Sequence, residues 1–312
     1  MAYYFIGGED FDFSPLGTPS VVTASTVFRA GYARCALFAG TTGGWRVPNS
    51  YGLSVTGTSW LTAELVLEAG SPVPLVIFNG PGDVNALALY TDGSIWNIIT
   101  DTSLATATSS IPLNVITKMD IEVVFSVTGS INVYFNGTLI TTYSGDVTAG
   151  QASFNGFDLT GSGYWSEVIW GSADTRALSL VTLSPVANGL TDTWDVGEPY
   201  YVNQITINDA FSDQSGTPGQ IELYTANYLP LGNFGIDAVS LTARGVTGSG
   251  APQNLQLTVN VGGTNYNSSD FTQGPVWQRS ANEWALNPNT SAAWTIADIN
   301  SAGFNIGMTS VA

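Results

Sequence analysis

Carboxylates are the side chains of this sequence whose type and spacing come nearest to supporting catalysis. The chain has no histidine and one cysteine, which excludes Ser-His-Asp and Cys-His catalysis and the usual zinc sites. Glycoside hydrolysis needs only two carboxyl groups, set at about 5 Å or roughly 6.5–9.5 Å apart. Glu64 and Glu68 share one face of a predicted strand, and Glu122 alternates with apolar neighbours on another. Solvated carboxylates on a strand face give the same pattern.

Acidic loops could instead bind calcium, which prefers carboxylate and carbonyl oxygens. Asp10 and Asp12 form one such pair, and Asp192 and Asp195 form another. Neither pair has the spacing of an EF-hand loop, and 24 acidic residues produce such pairs by chance. We therefore predict no metal site and no cofactor.

Aromatic side chains could stack against sugars, since the chain has nine Trp and 13 Tyr. Large rings more often fill sandwich cores or buried interfaces, and we favour that role for each one. The sequence therefore leaves glycan-binding residues unassigned. The six tryptophans considered for such stacking are Trp45, Trp96, Trp165, Trp277, Trp284 and Trp294. The three Asn-x-Ser/Thr sequons, Asn136, Asn267 and Asn289, are expected by chance at this Ser and Thr content.

Composition excludes several partners. Only 10% of residues are charged, and seven Lys plus Arg against 24 Asp plus Glu give a net charge of −17. Nucleic acids and anionic membrane surfaces attract cations, so we expect neither as a partner. No run reaches the roughly 18 apolar residues of a membrane span, and the N-terminus lacks the features of a secretory signal.

The elements that must position these side chains are predicted to be strands. Short runs of Val, Ile, Thr, Tyr and Trp alternate with turn residues every 8 to 12 positions or so, which is typical of sandwiches and barrels. The length of 312 residues favours two domains, which we place at 1–175 and 176–312. Cys35 lies in an apolar run and is predicted to be a buried small hydrophobe.

The clearest predicted strands of the first domain are 59–68, 74–78, 85–90, 94–100, 119–127, 130–135, 138–143 and 164–170. Those of the second domain are 200–208, 220–225, 234–244 and 254–261. Residues 295–300 are the one segment that we predict to form a helical turn.

The run DIEVVF at 120–125, followed by INVYFNGTLI at 131–140, resembles concanavalin A-like and laminin G-like jelly rolls. In that superfamily a strand of this kind turns sharply at Asn-Gly into the next. The resemblance implies a jelly-roll sandwich for the first domain. Glycosidases of this fold carry Glu-x-Asp-x-x-Glu or a near variant on one strand. The segment from Glu64 to Glu68 lacks the central Asp, so we predict no catalytic residue and no enzyme.

A second resemblance covers residues 160–312. Its marks are WSEVI at 165–169, DTR at 174–176, LSP at 183–185, Gly189, Trp194 and the run NPNTSAAWTIADIN at 287–300. These look like a pattern in uncharacterised proteins of tailed bacteriophages. The resemblance implies a virion component, made in the host cytoplasm and released by lysis.

Together these observations predict an all-β chain of two tandem β-sandwich domains. The expected function is a structural component of a bacteriophage virion: a capsid decoration, a head fibre or a tail-associated protein. Its expected partners are other virion proteins and copies of itself in a homo-oligomer. The alternative is a glycan-binding adhesin module of a phage fibre, with a host surface glycan as its partner.

Overall fold

The computed structural model describes residues 2–23, 27–28, 35–40, 43–68, 73–107, 111–203, 208–248 and 252–311. The chain divides into two compact units, Met1–Thr182 and Leu183–Ala312. The sequence placed this boundary after residue 175. The division lies further along because residues 176–182 pack against the first unit.

The first unit is built from strands joined by short turns. In chain order these strands are β1 (Tyr3–Gly7), β2 (Ser14–Leu16), β3 (Ser20–Thr23), β4 (Cys35–Ala39), β5 (Gly44–Val47), β6 (Thr58–Leu67), β7 (Pro74–Gly80), β8 (Val84–Tyr90), β9 (Ile95–Asn97), β10 (Thr102–Ala105), β11 (Ile116–Val124), β12 (Gly129–Phe135), β13 (Thr138–Gly145), β14 (Gly156–Leu159) and β15 (Gly163–Gly171). Short 3₁₀ turns occur at Asp10–Asp12 and Asn49–Tyr51.

These strands form two antiparallel sheets of a sandwich. The first sheet has the order β13-β12-β11-β6-β15-β4-β3, with β1 also paired to β15. The second sheet has the order β10-β9-β8-β7-β14-β5-β2. Alternation along each strand sends one set of side chains into the core between the sheets. In β6, for example, Leu61, Ala63 and Leu65 are buried in that core, whereas Glu64 and Val66 point to the outer face of the first sheet.

A bulge in β15 lets one strand bury two tryptophans that simple alternation would place differently. The register with β6 shifts between Ser166 and Ile169, and Glu167 adopts a φ of +52°. Because a bulge inserts one extra residue, Trp165 and Trp170 both face the core. They are among the largest fully buried side chains of the chain.

The second unit carries a larger and a smaller sheet. Its elements are β16 (Pro185–Asp192), α1 (Pro199–Val202), β17 (Ile221–Ala226), β18 (Val239–Gly245), β19 (Asn254–Val261), β20 (Thr264–Asn267), β21 (Phe271–Thr272), β22 (Gln278–Trp284), α2 (Ile296–Ile299) and β23 (Phe304–Val311). The third sheet has the order β16-β17-β23-β19-β20, with β21 also on β19, and β18 pairs with β22 in a fourth sheet. The predicted fold class, all-β with two tandem β-sandwich domains, is confirmed.

Two segments of the second unit differ from the prediction. Residues 199–202 form a helical turn instead of a strand, since Pro199 at the first helical position presets the helical φ and needs no N–H partner. Residues 204–207 of the same predicted strand lie outside the described ranges. The strand predicted to begin at 234 begins at Val239. The predicted turn at 295–300 is present as α2, capped by the Thr295 hydroxyl, which accepts from the Asp298 N–H.

Across the described ranges, no helix has the length and hydropathy that crossing a bilayer takes.

Candidate functional site

The structure does not bring the predicted carboxylates together. Glu64 lies within β6, whereas Glu68 follows its end and is exposed. Four residues along a strand span roughly 13 Å, which exceeds both glycosidase spacings. Glu122 lies on β11, where its Oε2 accepts a hydrogen bond of 2.8 Å from Asn132 Nδ2. These three groups therefore form no acid–base pair.

The first acidic loop that was considered for calcium, with Asp10 and Asp12, binds its own backbone. The Asp12 carboxylate accepts hydrogen bonds from the N–H groups of Gly8 and Glu9, at 2.9 and 3.1 Å. Asp12 thereby caps the 3₁₀ turn that begins at Asp10. Within the ranges that the structure describes, no three His, Cys, Asp or Glu side chains are grouped to hold a metal ion.

The second acidic loop that was considered for calcium, with Asp192 and Asp195, contributes instead to a pair of acids. Asp192 of β16 lies directly opposite Glu222 of β17. Glu222 is fully buried, and its Oε1 has no hydrogen-bond donor among the described residues. Burial, together with the charge of Asp192, raises the pKa of Glu222 to about 7. A proton between the two carboxyl groups would satisfy both.

Further groups hold this acid pair in place. The backbone of Gly197 packs so closely that a Cβ there would meet the Glu222 carboxyl carbon at 2.5 Å. Nearby, the buried Tyr224 hydroxyl donates to Asp213, whose other carboxylate oxygen accepts from the Glu198 N–H at 3.0 Å. Gly197 therefore packs directly on the Glu222 carboxyl group, whereas Asp192 is exposed and also accepts a hydrogen bond of 2.6 Å from Asn188 Nδ2. Asp195 accepts separately from Gly216 N and Gln220 Nε2.

Three of the six tryptophans singled out in the sequence are buried. Trp45, Trp165 and Trp294 are buried, and each donates its indole N–H to a backbone carbonyl. Trp277 and Trp284 are half-buried, and Arg244 lies 5.0 Å from the ring centre of Trp277. The side chains of Trp96 and Cys35 lie outside what the structure describes, although their backbones belong to β9 and β4.

One part of the first sheet's outer face is covered by the segment 172–182. The hydroxyl of Thr175 is 2.6 Å from that of Thr62, which in turn donates to Asp120 Oδ1 at 2.6 Å. The guanidinium of Arg176 lies 4.7 Å from the ring centres of both Trp60 and Tyr134. No local sequence pattern indicates this cover, because its contacts join residues that are distant in the chain.

Another part of the same face carries a cleft of about 420 Å³. Tyr164 of β15 and Val66 of β6 alternate with core residues and so point outward into it. They pack with Phe28 and Ala36 in a small apolar cluster. The described residues that line the cleft are Val22, Val27, Val66, Glu68, Asn114 and Tyr164.

The second unit exposes an apolar loop, which we define as residues 228–234. Leu231 is 89% exposed and Tyr228 is 72% exposed, and Phe234 is also exposed. Between them, Leu229 is buried. Asn300 fixes that residue: its Oδ1 accepts from Leu229 N at 2.8 Å and its Nδ2 donates to Leu229 O at 3.1 Å. The loop thus presents large apolar side chains on a backbone that is held in place.

Comparisons with known proteins give limited information. No protein family and no curated protein matches the sequence. Among solved structures, the chain is similar to "Cellulose induced protein, Cip1", at 13% identity and a TM-score of 0.41, over 53% of this chain and 96% of that one. It is also similar to a protein of unknown function with a galectin-like fold from Bacillus subtilis, at 10% identity and a TM-score of 0.37, over 52% and 89%.

A longer match is to the botulinum neurotoxin serotype C1 binding domain, at 9% identity and a TM-score of 0.33, over 94% of this chain and 79% of that one. All three TM-scores are below 0.5, so these likenesses carry no conclusion about ligand or activity.

Proposed function

We propose that this chain is a non-catalytic structural component of a bacteriophage virion, as a capsid decoration, head fibre or tail-associated protein. It packs there with copies of itself and with other virion proteins. The virion assignment rests on the sequence pattern of residues 160–312, and the packing role rests on the surface of the second unit.

The apolar loop 228–234 is the observation that carries the packing role. Soluble monomers rarely keep large apolar side chains together in solvent, and such groups commonly mark protein interfaces. The loop is not loose, because Leu229 donates one hydrogen bond to Asn300 and accepts another from it, and on this fixed backbone Leu231 and Tyr228 are exposed. Pre-ordering of this kind reduces the entropy lost on association.

The edge strand β16 supports the same proposal. It lies at the end of the third sheet, and Val186 and Leu190 on it are exposed. Pro185 and two register shifts against β17 interrupt the backbone of this edge, which disfavours pairing with another strand. The exposed Val186 and Leu190 instead add apolar surface for side-chain packing.

The low charge fits assembly as well. Only 10% of residues are charged, so close packing of neighbouring copies buries few ions. The net charge of −17 makes phosphate backbones poor partners, so the protein's place is on the particle surface or tail.

Quantitative mass spectrometry of purified particles tests this proposal, with the phage whose genome encodes the chain as the source. The copy number is normalised to the major capsid protein. Hundreds of copies indicate a capsid-lattice component, and a few to a few dozen indicate tail, fibre or vertex. Particles that lack the chain would refute the virion role, and a chain encoded outside any phage genome would do the same.

A further inference from the structure

We propose that Glu222 and Asp192 form a proton-dependent latch, which holds residues 186–192 of β16 on the third sheet. With a proton between the two carboxyl groups this span is closed, and loss of the proton lets it open locally. The span carries the exposed Val186 and Leu190, so the latch also regulates the surface on which the chain packs. That consequence rests on the proposed function, whereas the latch itself does not.

The backbone holds β16 only weakly. Among the strands that the structure describes, β16 lies at the end of the third sheet and pairs with β17 alone. Its register shifts after Pro185 and again after Asn188. Between Asn188 and Asp192, residues 189–191 lie opposite the single residue Leu223, so regular ladder pairing is lost there. The span therefore depends on side-chain contacts to stay on the sheet.

Three such contacts hold the span. Leu190 N donates to Oδ1 of Asn305, on β23, at 3.2 Å. Asn188 Nδ2 donates to Asp192 Oδ2 at 2.6 Å, and Asp192 lies directly opposite Glu222. Two of the three contacts involve Asp192, so the charge of the group that it faces decides how firmly the span is held.

Both ends of the span are fixed separately. Ser184 N donates to Asn227 Oδ1 at 2.5 Å, and Asn227 N donates to Ser184 O at 3.0 Å. Beyond the span, Thr193 N donates to Ile221 O at 3.0 Å, and Ile221 N donates to Thr193 Oγ1 at 2.7 Å. The span can therefore leave the sheet while the rest of the unit stays folded, and local opening of this kind costs less free energy than global unfolding.

The surroundings of Glu222 provide no cation. The sequence of the second unit contains two basic residues, Arg244 and Arg279, which pair with each other's strands in the fourth sheet. Met308 of β23, opposite Glu222 on its other side, is uncharged. Within this unit a proton is therefore the group that can neutralise the pair. The titratable side chains of the elements packed around Glu222 are Asp192, Asp195, Glu198, Asp213 and Tyr224.

Burial gives the latch its pH range. Burial, together with the charge of Asp192, raises the pKa of Glu222 from 4.5 to about 7 in the closed state. An open span returns Glu222 to water and to its ordinary pKa. Closing is therefore favoured most below about pH 4.5, and this contribution is lost as the pH rises through 7. Burial also raises the pKa of Asp213, which acts in the same direction.

Hydrogen exchange of the whole chain, followed by mass spectrometry at pH 5 and pH 8, tests the latch. Exchange rates are divided by their intrinsic values at each pH, which gives the protection of each segment. The reference is β20 (Thr264–Asn267), the opposite edge of the same sheet, which contains no acidic residue. From pH 5 to pH 8 the protection of β16 relative to β20 should fall at least about tenfold.

Variants assign the effect to the acid pair. Glu222→Gln keeps the shape and is uncharged at both pH values, so the loss of protection should disappear. Asp192→Asn removes the opposing charge at an exposed position, so it should reduce the loss and it serves if Glu222→Gln misfolds. Glu283→Gln is the matched control: burial raises the pKa of Glu283 to about 7 as well, but this residue lies on β22 in the fourth sheet. This control should keep the native response of β16.

Protection of β16 that is equal at both pH values would overturn the latch, as would a native response in both acid-pair variants. Sedimentation velocity at the same pH values tests the regulation. Self-association should be weaker at pH 8 and should recover in Glu222→Gln. Equal association at both pH values, with a β16 that opens, would overturn the regulation. A chain that is monomeric at both pH values, with a β16 that opens, would refute the packing role and leave the latch standing.

Discussion

The two units differ in what they do with apolar side chains. The first buries its aromatics between two large sheets, with Phe157, Phe154 and Trp170 fully enclosed. The second has a smaller set of buried residues and leaves Leu231 and Tyr228 in solvent. The first unit also exposes Val127, at 66%, but Leu231 and Tyr228 are exposed further, and the packing role proposed above rests on them.

The two units also differ in what lies next to their buried acidic side chains. In the first unit Arg46 and Asp158 form a bidentate pair on the second sheet, and Asn79 Nδ2 donates to the same carboxylate at 2.8 Å. In the second unit the buried acid Glu222 faces another acid, Asp192, and has no cation to neutralise it. Asp158 in the first unit is therefore paired with a cation, whereas Glu222 in the second unit lies against a second acid.

The largest expected contrast comes from a matched pair of phenylalanines. Phe157→Ala removes a ring packed edge-on against Trp170 at 5.4 Å, and should lower the free energy of unfolding by about 3–5 kcal/mol. Phe211→Ala removes an exposed ring stacked on Tyr201 at 5.7 Å, and should lower it by about 1 kcal/mol or less. Urea unfolding measures both, and equal losses would contradict the division between the units.

A second contrast compares two ion pairs. Asp158→Ala leaves Arg46 and Asn79 without their shared acceptor and should cost about 3 kcal/mol or more. Asp209→Ala breaks the more exposed pair with Arg244 and should cost less than about 1 kcal/mol. Melting temperatures at low and high salt separate the two pairs, since only the exposed pair should be sensitive to screening. If Asp158→Ala and Asp209→Ala lowered the melting temperature equally at low salt, the Asp158 pair would not be buried in solution.

The acid pair predicts a pH dependence of the second unit. Burial and Asp192 raise the pKa of Glu222 from 4.5 to about 7, so the folded state holds a proton that the unfolded state releases. Stability is therefore highest below about pH 4.5 and falls as the pH rises through 7, by roughly 3 kcal/mol in all. Burial also raises the pKa of Asp213, which acts in the same direction, and Tyr224 stays neutral over this range.

The Glu222→Gln variant tests this pH dependence of stability directly. It keeps the shape and supplies a permanent donor for Asp192, so the variant should melt higher than the native chain at pH 8 and show a flatter profile between pH 5 and 8. Asp195→Asn is the control, since that acid lies on the same segment but outside the pair. A Glu222→Gln profile as steep as the native one would exclude the pair as the source.

The sequence predicted strands where local signals were strong. The runs 254–261 and 130–135 alternate clearly, and the structure places β19 and β12 there. Asp92-Gly93 predicted the turn between β8 and β9, and Gly93 has the positive φ of +83° that such turns need. The strand predicted at 200–208 was wrong over residues 200–202, because the aromatic residues there resemble a strand whereas Pro199 favours a helical turn.

The candidate sites depended on register, which no local pattern supplies. Glu68 was singled out as an acid from the sequence. Tyr164 and Val22 line the same cleft only because the strands pair in the order β6-β15-β4-β3, which the sequence does not reveal. Asp192 was singled out as a calcium ligand, whereas pairing of β16 with β17 places it opposite Glu222. A bulge such as that at Glu167 changes the face of the sheet on which the following side chains lie, and no local sequence pattern indicates it.

The smallest expected effect concerns association. Burial of one Leu side chain at an interface contributes about 1.5–3 kcal/mol, so Leu231→Lys should weaken self-association at least about tenfold while leaving the unfolding free energy almost unchanged. Val127→Lys is the matched control, because Val127 is also exposed but belongs to the first unit. Sedimentation velocity across a concentration series measures both. If Val127→Lys disrupts assembly and Leu231→Lys does not, the interface belongs to the first unit, and the apolar loop must have another role.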